Sequence, residues 1–233
     1  MANALNFGVA GVVLVLGCTS EVEPIQVADV CPTQPVRGPA QSALLPQQQW
    51  IDDFESGDEQ IMRVDGRDGF WVVGADGTAL ELTAETSTRC AARGGYAGHF
   101  LGGKRSDWGV NWTAVLKKGS GNQAASIDAS GYSGVSFWAA VGPGSVTPFE
   151  LPVGVTTLDV AWNGGVCTKC MDFYRKRVTL STRWQQVVLR FDDLEQSGYG
   201  VPQTPLNKAE LVGFIIWPDQ PFDVWIDDVH FIR

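Results

Sequence analysis

Phe222-Asp223-Val224-Trp225-Ile226-Asp227-Asp228-Val229-His230-Phe231 lies at the end of the chain, and its order decides the fold. Aromatic and β-branched residues fill it at the density half-buried strands favour. Successive strand residues point to opposite sides, which puts Asp227 on the face of the core-type residues Val229 and Phe231. The run Val224–Ile232 is the last of a series. Trp50–Phe54, Phe70–Val73, Ala79–Thr83, Tyr96–Leu101 and Gly109–Leu116 read the same way, as do Gly134–Val141, Val155–Val160, Gln185–Phe191 and Val212–Trp217. Turn signals separate them: Asp76-Gly77, Gly94-Gly95, Gly142-Pro143-Gly144 and Asn163-Gly164-Gly165. No window carries an apolar helical repeat over three turns, and only 192–194 and 207–211 suggest single helical turns. About ten short strands without helices predict an all-β fold, a β-sandwich or jelly roll.

Ahead of these strands the chain changes character. The apolar run Phe7–Leu16 is too short to span a bilayer, which takes about 20 residues. It has the length of a secretory core and leads through Gly17 to Cys18. The segment resembles a bacterial lipoprotein signal, which implies a signal peptide over 1–17 and lipidation of Cys18. Export to the outer membrane or the cell surface follows, or secretion if the segment is only cleaved. Residues 18–48 hold Pro24, Pro32, Pro35, Pro39 and Pro46 among Ser and Gln, a composition that reads as an extended tether. The folded domain is expected over 49–233.

Charge and cysteine content narrow the partners. The 233 residues carry a formal net charge of −9, so nucleic acid and anionic membrane surfaces would repel the chain. With Cys18 assigned to lipid, Cys31, Cys90, Cys167 and Cys170 remain, an even number that in an oxidising compartment reads as two disulfides. Cys167 and Cys170 pair by proximity, leaving Cys31 with Cys90. Zinc would need two more ligands than Cys167 and Cys170 supply, and His99 and His230 are not at finger spacing. Met171 stands where a haem attachment requires His.

Several segments in order resemble the galactose-binding-like jelly rolls that include family 11 carbohydrate-binding modules. They are Ile51-Asp52-Asp53-Phe54-Glu55 with Gly57-Asp58, then Arg67, Gly69, Trp71 and Asp76, and Tyr132-Ser133-Gly134-Val135-Ser136-Phe137-Trp138. Trp184-Gln185-Gln186-Val187, Phe191-Asp192-Asp193-Leu194, Gln196 and Gly200 follow, and the terminal run closes the set. The resemblance implies a non-catalytic glycan-binding domain, monomeric and touching the membrane only through its lipid. It also implies a structural Ca²⁺ where the first and last strands meet. Asp53, Glu55, Asp58, Asp227 and Asp228 are the candidate ligands, because a hard cation takes six to eight oxygens.

The nine Trp residues supply the glycan candidates, since an indole face stacks on the apolar face of a pyranose. Trp71, Trp108, Trp112 and Trp162 stand near Gly or polar residues at strand ends, with Arg67, Asp76, His99 and Asn111 as polar readers. Trp108 and Trp112, four apart, are expected on one side of one strand. Trp138, Trp184 and Trp225 read as core, and Trp217 fits either role. No Gly-x-Ser-x-Gly elbow and no phosphate-binding loop is present, so catalysis is not expected. A jelly roll serving protein adhesion without sugar affinity is the alternative.

Overall fold

The computed structural model describes residues 31–33, 45–78, 82–88, 90–103, 106–203 and 205–233. The signal segment, Cys18, most of the tether and part of the expected 79–83 strand lie outside them. Among these residues there are eleven strands: β1 (Trp50–Asp52), β2 (Phe70–Ala75), β3 (Thr83–Thr88), β4 (Ala97–Gly102), β5 (Val110–Val115), β6 (Gly134–Val141), β7 (Phe149–Thr157), β8 (Tyr174–Leu180), β9 (Gln185–Arg190), β10 (Leu211–Ile216) and β11 (Phe222–Ile232). Among the described residues the only helical pieces are short 3₁₀ turns, two of them at Phe191–Asp193 and Lys208–Glu210. These are the single turns read from 192–194 and 207–211.

The strands form two antiparallel sheets, one ordered β3-β4-β11-β6-β9 with β1 beside β11, the other β2-β5-β10-β7-β8. Their pairing is nested. β7 pairs with β8, β6 with β9, β5 with β10 and β4 with β11, as in one long hairpin rolled upon itself. Rolling adds the β11–β6 and β10–β7 contacts and sets β4, β6, β9 and β11 in one layer and β5, β7, β8 and β10 in the other. The result is the all-β jelly-roll sandwich expected from the sequence.

Between the layers lies the core, built from inward residues such as Phe54, Trp71, Phe100, Trp112, Phe137, Phe214 and Phe231. Alternation is plain in β5: Val110, Trp112 and Ala114 join this core, whereas Asn111 and Thr113 turn to the opposite face. A smaller apolar cluster of Ala92, Ala97, Ala140, Trp184 and Trp225 covers the outer face of the six-stranded sheet. Cys90 belongs to it and bonds Cys31, with the two Cα atoms 5.1 Å apart. The Thr33 amide then donates to the Thr182 carbonyl at 2.8 Å, fixing that stretch to the sandwich. Cys167 pairs with Cys170, as their spacing suggested.

β11 departs from the simple strand read from its sequence. Its register with β6 shifts between Asp227 and His230, and Asp228 takes a positive φ of 51°. This bulge reverses the alternation. Val224 and Ile226 face the core before it, and Val229 and Phe231 face it afterwards. Asp227 therefore lies on the side of Trp225, not on the side of Val229 and Phe231.

Candidate functional site

A groove of about 980 Å³ crosses the open face of the five-stranded sheet. Strand registry builds its floor. Val72 of β2 stands opposite Thr113 of β5, Thr113 opposite Ile215 of β10, Ile215 opposite Gly154 of β7, and Gly154 opposite Arg175 of β8. Parallel rows flank this one, with Gly74 and Asn111 on one side and Phe70, Val115, Gly213 and Thr156 on the other. From β2 to β8 the floor spans four inter-strand spacings, about 19 Å. That is room for several sugar units in line.

Loops raise aromatic walls on this floor. Trp108 is 42% exposed, Trp162 67% and Tyr199 70%, and all three line the groove. Trp108 and the Tyr199 loop are held from behind. The Asp76 carboxylate accepts the Thr78 amide and hydroxyl and also the Gly109 amide, which fixes the turn beside Trp108. The Trp217 indole N–H donates to the Trp108 carbonyl at 3.0 Å, and the two rings meet edge to face at 5.8 Å. Asp172 accepts the Ser197 amide and hydroxyl and the Gly198 and Gly200 amides, so one carboxylate gathers the Tyr199 loop. Burial pushes the Asp172 carboxyl up, but these donors outweigh it and hold the group below the usual carboxylate range. Next to it the Cys167–Cys170 bridge closes a tight turn that leads to Met171 and Phe173 at the groove.

Of the residues singled out from the sequence, Trp108, Asn111 and Trp162 come together here. Asp76 supports the wall without lining it. Trp71 and Trp112 are 3% and 2% exposed, and their rings lie 4.6 Å apart in the core. Trp108 and Trp112 do not share a side because Gly109, at φ 87°, turns the chain between Trp108 and β5. Arg67 is buried too. Its guanidinium donates to the Gln48 and Trp50 carbonyls and lies over the Phe231 ring, and burial lowers its pKa. His99 is on the other sheet, stacked on Trp225 at 3.9 Å with Nε2 2.8 Å from Asp223. Sequence reading missed Thr113, Phe173, Arg175 and Tyr199. Only the fold brings them to one face, though the exposed Tyr199 between glycines was a visible signal.

The five carboxylates expected to hold Ca²⁺ do not form a ligand set. Asp53 accepts the Glu55 amide, Glu55 accepts the Gly95 and Tyr96 amides, and Asp58 accepts the Gln60 amide. Asp227 accepts the Arg93 and Asp228 amides. Among the described residues no three His, Cys, Asp or Glu side chains gather as a metal site would require. Burial and the neighbouring Asp228 raise the Asp227 pKa well above the ordinary value, and burial raises Asp52 to about 7. Asp53, Glu55, Asp58 and Asp227 each cap a backbone donor, and the oxygen set a hard cation takes is not gathered among the described residues.

The fold thus defines a jelly-roll sandwich with an open, aromatic-walled groove. No protein-family model matches the chain, and no curated protein matches it. Solved structures similar to it include the family 11 carbohydrate-binding module of cellulosomal cellulase Lic26A-Cel5E of Clostridium thermocellum. That similarity has 13% identity and a TM-score of 0.48, over 79% of this chain and 93% of that one. The family 30 module of cellulosomal cellulase Cel9D-Cel44B of Clostridium thermocellum is 17% identical at a TM-score of 0.46, over 76% and 97%. TmCBM61 in complex with β-1,4-galactotriose is 13% identical at 0.38, over 81% and 97%. At such values the likeness is one of chain course, and the question of ligand falls to the groove.

Proposed function

We propose that this protein binds carbohydrate without cleaving it, taking a glycan chain across the open face of the five-stranded sheet. The observation that carries this is the joint placement of Trp108, Trp162 and Tyr199, solvent-exposed, around a floor bearing Asn111, Thr113 and Arg175. Exposed indoles gain by stacking on the apolar faces of pyranose rings, and fixed amides, hydroxyls and a guanidinium can read the sugar hydroxyls. Glycoside hydrolysis needs a pair of carboxylates astride the bond. Among the described residues lining the groove there is no Asp, Glu or His, which favours retention over turnover.

Export and a lipid anchor at Cys18 complete the proposal. The run Phe7–Leu16 before Gly17-Cys18 supports it, and so do two disulfides, which persist in oxidising compartments. The protein would then hold polysaccharide at the outer membrane or cell surface as a monomer. A glycan array followed by calorimetry tests the binding, and Trp162→Ala should weaken it about tenfold or more without unfolding the chain. Absence of binding to every glycan would end the proposal. Incorporation of labelled fatty acid, lost in Cys18→Ser, tests the anchor.

A further inference from the structure

We infer that the glycan this groove takes carries carboxylate groups, as uronic acid units do. The inference rests on the carbohydrate reading and adds the ligand's charge. The chain holds 26 acidic against 17 Lys and Arg residues, yet the groove reverses that balance. Among its described lining residues there is no Asp or Glu, whereas Lys117 and Arg175 are both present. Exposed charges beyond about 8 Å are largely screened at physiological salt, so an incoming chain meets these two cations rather than the net charge.

Arg175 is set for such a contact. It ends the floor row that runs through Val72, Thr113, Ile215 and Gly154. Its guanidinium carbon stands over the Phe173 ring at 5.4 Å, and that ring stacks on Trp217 at 5.1 Å and 6°. Much of the ordering cost of the side chain is met before ligand arrives. A guanidinium offers two parallel N–H donors that match a planar carboxylate. Beside it in the register, Gly154 presents no side chain, and a Cβ there would come within 1.9 Å of the Tyr174 carbonyl oxygen. The strand packing thus admits no side chain at the position next to Arg175. Lys117, past the Val115 end of β5, adds a second cation farther along the groove.

The test titrates the full chain with uronic acid polymers (polygalacturonate, alginate and glucuronan), each beside its carboxyl-reduced neutral form, and with dextran sulfate. One uronate polymer should bind about tenfold tighter than its reduced form, with affinity falling as salt rises. Arg175→Gln should lose about that factor, and Arg175→Lys should recover part of it. If Arg175→Gln does not fold, Lys117→Gln carries the same test with a loss of about threefold. Equal binding of the reduced polymers, or binding of neutral glycans alone, overturns the carboxylate inference and leaves carbohydrate binding standing. Equal binding of dextran sulfate overturns it too, as simple ion exchange. No binding to any glycan removes both.

Discussion

The indole N–H of Trp71 donates to Oδ2 of Asp52 at 2.6 Å, inside the core. Asp52 ends β1 in the six-stranded sheet, and Trp71 lies on β2 in the five-stranded sheet. This one hydrogen bond therefore ties the two layers together. Oδ1 of the same carboxylate accepts the Phe54 amide at 2.9 Å.

Burial raises the Asp52 pKa from 3.8 to about 7 against the pull of those two donors. In the unfolded chain the group ionises near its ordinary value, so between those limits the folded state holds a proton that the unfolded state has released. Stability therefore falls as pH rises from about 4 to about 7 and levels off above, a contribution of at most about 4 kcal/mol. Asp227, raised in the same direction, adds to the slope. Urea unfolding across this interval should show the decline, and Asp52→Asn should flatten part of it. A wild-type stability no more pH-dependent than that of Asp52→Asn would refute the assignment.

Two pairs of Trp residues should separate cleanly. Trp162→Ala and Trp108→Ala should each weaken glycan binding about tenfold or more with small changes in melting temperature. Trp71→Ala and Trp112→Ala should instead cost about 3–5 kcal/mol of stability, the loss typical of a buried aromatic. Chemical denaturation beside calorimetry distinguishes the two groups.

Arg67 belongs with the buried pair. Arg67→Met removes the donors to the Gln48 and Trp50 carbonyls and should destabilise the fold by about 2–4 kcal/mol. Glycan affinity of the folded fraction should stay at the wild-type value. A selective loss of affinity would return Arg67 to the ligand.

Asp172 acts on the ligand through Tyr199. Asp172→Ala frees the amides of Ser197, Gly198 and Gly200 and should weaken binding about as much as Tyr199→Ala does. In the double variant the two losses should fall short of additive, since both act through one loop. Strict additivity would show that Asp172 does not work by placing Tyr199.

The Cys31–Cys90 bridge closes a span of 59 residues, and the chain-entropy relation assigns such a loop about 4 kcal/mol. Cys90→Ser should lower the melting temperature by about 10 °C at this chain length. The Cys167–Cys170 bridge spans three residues and should alter groove affinity more than melting temperature.

Much of this architecture was readable in the chain, because period-two alternation and Gly-rich turns mark strands wherever one face is buried. β8 escaped notice. Arg175, Lys176 and Arg177 hide its apolar face, and Pro152 interrupts the signal of its partner β7. The site was legible one residue at a time, as Trp108, Asn111 and Trp162 show, but not as an assembly. Phe173 and Arg175 reach it only because nested pairing sets β8 two strands from β10. The face expected for Asp227 was wrong for a local reason. One left-handed residue, Asp228, reverses which side chains face inward, and no periodicity announces such a break.

The stretch joined through Cys31 meets the sandwich on the outer side of the six-stranded sheet, while the groove opens on the far side of the other layer. The stretch held by the Cys31–Cys90 bridge and the proposed ligand face therefore occupy opposite flanks. Pull between a polymer held in that groove, as proposed, and the stretch at Cys31 would cross the roll's full thickness instead of peeling away a border strand.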